Sequence, residues 1–102
     1  MGYEVVWTEP ASMQLEEIRD YIAADNPLAA RKVVERIIAR VGRLKSLPRI
    51  GAVYGKGGKH PVRKIVSGSY RIFYRIVEDA KRVEILLVWH AARRDPDFSD
   101  HS

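Results

Sequence analysis

The sequence predicts an α+β fold in two layers, with an antiparallel helix hairpin laid over an antiparallel sheet. Three observations predict it. Tyr3–Trp7 alternates along the chain as a strand does. Two stretches of helical period meet at Asp25-Asn26-Pro27, leaving so short a connection that the helices must pair as a hairpin. Three strand-like stretches then follow one another through short turns after residue 62, which is the pattern of a meander. With 102 residues the chain has room for one domain, spanning residues 1–102.

In the first strand Tyr3, Val5 and Trp7 fall on one side and Glu4 and Val6 on the other. Thr8 is placed to cap a helix, with Glu9 and Pro10 in the first turn, where the macrodipole favours an acid and proline loses no hydrogen bond. Leu15, Ile18, Tyr21 and Ile22 supply its apolar stripe. Asn26 caps the second helix and Pro27 opens it. Ala30, Val33, Val34, Ile37, Ile38, Val41 and Leu44 form a broad apolar stripe there, and Leu47-Pro48 ends the helix. Arg31, Lys32, Arg36, Arg40 and Arg43 line the opposite side and read as a solvated face.

Residues 48–62 hold four glycines and two prolines and read as a loop. Then come Arg63–Val66, a Ser67-Gly68-Ser69 turn, Tyr70–Val77, a Glu78–Arg82 turn and Val83–His90. The middle strand sets Ile72, Tyr74 and Ile76 against Arg71, Phe73 and Arg75, so one face is core and the other basic. Val83–Trp89 is almost wholly apolar and reads as a central strand. Residues 95–102 read as a frayed tail.

Composition narrows the function. Hydrophobic residues at 46% and charged residues at 30% exclude a disordered chain. The absence of cysteine excludes disulfide frameworks, thiolate zinc sites and iron–sulfur clusters, and leaves the cytoplasm as the default compartment. The longest apolar run, Ile85–Trp89, is far below the roughly 20 residues of a membrane span. Met1-Gly2-Tyr3-Glu4 has neither the basic nor the apolar region of a leader peptide.

Charge is segregated. Residues 1–30 carry six acids against Arg19 alone, residues 31–75 carry thirteen bases against Glu35 alone, and the remainder carries four bases and six acids. The net +5 conceals a strongly basic middle, which points to an anionic partner.

Several chemistries fail. Gly51 to Gly55 is one residue short of a phosphate-binding loop, and Lys56 is followed by Gly57 where a hydroxyl should hold magnesium. His60, His90 and His101 have no metal-binding spacing, so no metal or cofactor is expected. Ser12, Ser46, Ser67 and Ser69 lack a partner base.

What survives is a cationic cluster gathered by the meander: Lys56, Lys59 and His60 in the loop, Arg63 and Lys64 at a strand start, Arg71 and Arg75 flanking Phe73, and His90, Arg93 and Arg94 at the end of the last strand. Arginines interleaved with an aromatic ring suit phosphates and stacked bases. A histidine among them could serve as acid or base in RNA cleavage. Against this, Arg71 and Arg75 could pair across strands with Glu84, Phe73 reads better as packing, and His90 could be a satisfied strand-end histidine.

One resemblance joins these pieces. Leu15-x-x-Ile18-x-x-Tyr21-Ile22, Asn26-Pro27-x-Ala29-Ala30, Leu44-x-x-Leu47-Pro48-x-x-Gly51, Tyr70-Arg71-Ile72-Phe73-Tyr74-Arg75-Ile76 and Val88-Trp89-His90-x-x-Arg93-Arg94-Asp95 occur in an order that resembles the RelE/ParE superfamily of toxins from bacterial type II toxin–antitoxin modules. The resemblance runs from Tyr3 to Asp95. It implies a toxin neutralised by a cognate antitoxin whose C-terminal segment wraps it in a hetero-oligomer.

The superfamily divides by target. RelE-like members cleave mRNA on the ribosome, and carrying their pattern over would make His90, Arg75 and Arg71 catalytic, with Lys56, Lys59 and Arg63 at the basic start of the strand. ParE-like members are not nucleases and poison DNA gyrase through basic and C-terminal contacts, here Lys56, Lys59, Arg63, Lys64, Arg93 and Arg94. Nuclease members often carry a tyrosine a few residues past the position of His90. This chain has Arg93-Arg94-Asp95-Pro96-Asp97-Phe98, and Phe98 has no proton to move. The ending and the Asn-Pro-x-Ala-Ala hairpin look ParE-like, so the resemblance implies a gyrase inhibitor. The alternatives are a ribosome-dependent endoribonuclease and a non-toxic interaction module.

Overall fold

The computed structural model describes residues 2–54, 60–96 and 98. The first strand, β1, is Glu4–Trp7, and two helices follow, α1 at Glu9–Ala23 and α2 at Pro27–Gly42. A short 3-10 turn, Arg43–Lys45, leads into β2 at Ala52–Tyr54, β3 at Val62–Ser67, β4 at Tyr70–Val77 and β5 at Arg82–His90.

The helix starts follow the local chemistry. The Thr8 hydroxyl accepts from the Ala11 N–H at 3.4 Å, and Asn26 Oδ1 accepts from the Ala29 N–H at 3.0 Å. Each helix carries its proline in the first turn, where no helical donor is lost.

The sheet has the order β1-β5-β4-β3-β2. The β3-β4-β5 meander is antiparallel as expected, and β5 lies inside the sheet. Two features depart from expectation. The sheet is mixed rather than antiparallel, because β1 runs parallel to β5, with Val5 beside Val83 and Trp7 beside Ile85. The expected loop over residues 48–62 contains β2, which pairs Ala52 with Lys64 and Tyr54 with Val62. Alternation tells which face a residue takes, but not which neighbour a strand chooses, and three residues are too few to alternate legibly.

The helices cover one face. Ile37, Val41 and Leu44 are buried against Ile65, Ile72, Tyr74, Val83, Ile85 and Val88, with Val5, Trp7, Leu15 and Ile18 partly buried at the margin. Tyr21 and Ile38 were expected in the apolar stripes, but they are 83% and 50% exposed. The stripes of two helices packed on each other and on a sheet are narrower than the periodicity of either alone suggests.

Side chains take up the backbone groups that the ladder leaves over. β5 carries an extra residue at Leu86, because Phe73 pairs with Leu87 and Tyr74 with Ile85. β1 stops level with Ile85, so among the described residues the outer edge of β5 beyond it has no strand partner. The Thr8 hydroxyl donates to the Ile85 carbonyl at 2.6 Å, and Gln14 Oε1 accepts from the Val88 N–H at 2.7 Å. On the far side, Arg40 Nε donates to the Val66 carbonyl at 3.0 Å, beyond the end of the short β2.

Of the expected tail over residues 95–102, Asp95, Pro96 and Phe98 fold back over the face of the sheet opposite the helices, and the other residues lie outside those described. The Tyr54 hydroxyl donates to the Pro96 carbonyl at 2.5 Å, and Asp95 forms an ion pair with Arg71. The Phe98 ring lies 5.5 Å from Phe73 and 5.9 Å from Tyr54. A short polar sequence reads as a tail until its one aromatic ring finds partners in distant strands.

Candidate functional site

Strand register divides the expected cationic cluster between the two faces of the sheet. On the face away from the helices stand Lys64, Arg71, Phe73 and Arg75, with Glu84, Leu87 and Trp89 beside them. On the helix side stand Arg63, opposite Tyr74, and His90, opposite Tyr70. His90 is therefore not brought together with Arg71 and Arg75. Lys56 and Lys59 lie outside the described residues.

The open face is largely self-neutralised. Arg75 Nε donates to Glu84 Oε1 at 2.8 Å, and Arg82 Nε donates to Glu84 Oε2 at 3.1 Å. Glu84 thus pairs with Arg75 as weighed from the sequence, but Arg71 takes Asp95 instead. At the other end Arg93 stacks its guanidinium 3.8 Å from the centroid of the Trp89 ring. The Trp89 indole N–H donates to the Arg94 carbonyl at 2.8 Å, leaving the Arg94 side chain exposed. Lys64 Nζ lies 5.5 Å above Tyr54.

The hydrogen bond from Arg75, aided by the charges of Arg75 and Arg82, holds the Glu84 carboxyl below its ordinary value against the opposing effect of partial burial. A depressed carboxylate stabilises the fold fully above about pH 4.5 and less as pH falls through its folded value. Glu84→Gln should therefore lower the melting temperature at neutral pH and flatten its fall on acidification. Thermal melts between pH 3 and 7 check this, and an unchanged acid limb would remove Glu84 from the account.

Phe73 is fully buried although it faces away from the helices, because Tyr54 meets it edge-on at 4.9 Å and Phe98 covers it. It is packing, as the strand pattern suggested, and presents no ring to a base. Beside this aromatic group runs a groove of about 520 Å³ lined by Pro10, Val62, Leu86, Leu87, Phe98 and Arg75. Among the described residues its walls are mainly apolar, and the one cation that lines it, Arg75, is already paired with Glu84. Such a groove suits an apolar segment of a partner.

His90 is exposed and its surroundings are simple. Its Nδ1 accepts from the Ala92 N–H at 3.0 Å, and its ring meets Tyr70 edge-on at 5.2 Å. Arg63 Nη1 donates to the carbonyls of Gly51 at 2.8 Å and Arg49 at 3.4 Å, so it fastens the segment before β2. Among the described residues, no group of three His, Cys, Asp or Glu side chains is placed to hold a metal. No helix among them is long and apolar enough to cross a membrane.

Sequence reading missed Tyr54, Asp95 and Phe98 as the cover of the open face. A phenylalanine in an otherwise polar ending was the available signal.

Residues 5–95 match the family described as ParE toxin of type II toxin-antitoxin system, parDE. This chain belongs to the ParE toxin family. A curated relative, "Putative toxin Y4kP" of Sinorhizobium fredii, is 40% identical over 92 residues, covering 88% of this chain and 90% of the relative. Two solved structures share the toxin's fold. The chromosomal ParDE system from P. aeruginosa aligns with TM-score 0.70 at 24% identity, over 86% of this toxin and 95% of that chain. The RelE–RelB complex of Pyrococcus horikoshii aligns with TM-score 0.66 at 17% identity, over 92% of this toxin and all of that chain. The toxin is thus a ParE-like type II toxin on an α+β scaffold common to ParE and RelE chains.

Proposed function

We propose that this toxin acts by binding, that its target is DNA gyrase, and that a cognate antitoxin neutralises it in the cytoplasm. The observation that carries the reading is the separation of His90 from Arg71 and Arg75 by the thickness of the sheet. Acid–base cleavage of RNA needs a proton-transfer group and phosphate-stabilising cations converging within hydrogen-bond reach of one substrate atom. Here both arginines are engaged by carboxylates, and the histidine faces the other way.

The antitoxin reading rests on the family and on the surface. The apolar groove beside Phe98 can seat apolar side chains of an extended or helical segment. A basic toxin attracts an acidic, unfolded segment, which orders as it binds.

Purified gyrase supercoiling a relaxed plasmid tests the target. Adding the toxin without antitoxin should inhibit supercoiling, with linear DNA released by detergent and protease. His90→Ala should inhibit equally well. Undiminished supercoiling by a folded toxin, together with new mRNA ends on ribosomes that vanish in His90→Ala, would establish the endoribonuclease instead.

A further inference from the structure

The cations along α2 and at the start of the 3-10 turn that follows it differ from those of the sheet. Lys32, Arg36, Arg40 and Arg43 recur at intervals of four, four and three residues, which sets them on one flank of the helix. None of the four forms an ion pair among the described residues, whereas neighbouring Arg31 is paired with Glu35 at 3.2 Å. Arg40 reaches across to the Val66 carbonyl, so this flank lies against the end of β3. There, α2 and the β3–β4 turn enclose a cleft of about 170 Å³ lined by Val33, Arg36, Ser67, Gly68, Ser69 and Tyr70. Gly68 takes a left-handed φ of 57°, which makes this tight turn possible. No hydrogen bond engages the Ser67 or Ser69 hydroxyl among the described residues.

We infer that this flank of α2 binds the sugar–phosphate backbone of duplex DNA, with one phosphate seated between Arg36 and the Ser67-Gly68-Ser69 turn. Guanidinium and hydroxyl donors around a small concavity match the acceptor oxygens of a phosphodiester. Lys32 to Arg40 spans about 12 Å of helix, the axial length of three or four successive phosphates on one strand. A row of unpaired cations gains affinity by releasing counterions, which the carboxylate-paired arginines of the sheet cannot do to the same extent. An acidic peptide that orders on binding needs apolar burial as well, and the large apolar groove lies on the opposite face of the sheet. The site stands whichever macromolecule the toxin inhibits.

The test is fluorescence anisotropy of a labelled, mixed-sequence DNA duplex with the full-length toxin, titrated between about 50 and 200 mM salt. Micromolar, sequence-independent binding is expected. Arg36→Ala should weaken it about three- to tenfold and reduce the salt slope by about one. Arg31→Ala removes the same charge from the same helix at a residue already paired with Glu35, and it should change affinity less than twofold. Equal losses for the two variants would overturn the site in favour of undirected charge attraction. No binding to DNA at 50 mM salt would overturn it too, as would an Arg36-dependent affinity for a glutamate-rich peptide that exceeds the affinity for DNA. Circular dichroism of both variants should match the parent, because both side chains are exposed.

Discussion

Gly51→Ala should destabilise the toxin by about 3 kcal/mol and lower its melting temperature by about 12–24 °C. A methyl group at residue 51 would stand 2.6 Å from the Tyr74 hydroxyl and 2.7 Å from the Lys64 carbonyl. The second contact is backbone in the neighbouring strand, so no rotamer change relieves it. The first disrupts a buried junction. The Tyr74 hydroxyl donates to the Pro48 carbonyl at 2.7 Å and accepts from the Gly51 N–H at 2.9 Å, and Tyr74 itself is fully buried. Burial accordingly raises the Tyr74 hydroxyl above its ordinary value, which keeps it protonated and able to donate. Gly42→Ala is the control. It ends α2, an added methyl meets nothing within 4 Å, and alanine favours the helix, so stability should hold or rise slightly. Thermal or denaturant unfolding of the two variants decides the matter. Equal stabilities would show that the segment before β2 yields to the added methyl.

Phe73→Ala should cost about 3–5 kcal/mol, a large share of what holds a chain of this size folded. The ring is fully buried at the centre of the second, smaller apolar layer, touched by Tyr54 and Phe98. Its removal leaves a cavity bounded by β4 and the returning C-terminal segment, and the two remaining rings lose their common partner. Phe73→Leu keeps most of the volume and should cost less than about 1.5 kcal/mol. Equilibrium denaturation compares them. A Phe73→Ala protein as stable as the parent but altered in nucleic-acid binding would return this residue to the role of a base-stacking ring.

The recognisable motif before β2 has a physical reading. In Leu44-x-x-Leu47-Pro48-x-x-Gly51, Leu44 is buried in the core, Pro48 offers a carbonyl to Tyr74, and Gly51 passes where no side chain fits. The order of these residues is visible in the sequence. The partner that Pro48 and Gly51 share, Tyr74, lies in another strand and is not.

By itself the sequence determined the first strand, the two helices and the three-stranded meander, and which residues of the middle strand share a face. Helical and twofold periods, two capping residues and two first-turn prolines act within a few residues, so local chemistry sufficed for α1, α2 and the β3-β4-β5 meander, and with them the ParE-like family pattern. Only the tertiary structure decided which residues meet. The parallel seat of β1 beside β5, the brief β2 and the return of Asp95–Pro96 and Phe98 over Phe73 depend on surfaces that exist only after the sheet has formed. The same holds for charge. The sequence shows a basic middle, but the positions of Glu84 and Asp95 decide that Arg75 and Arg71 are neutralised while Lys32, Arg36 and Arg43 are left unpaired among the described residues. Pairing is a property of distance across the fold, and composition counts only the charges.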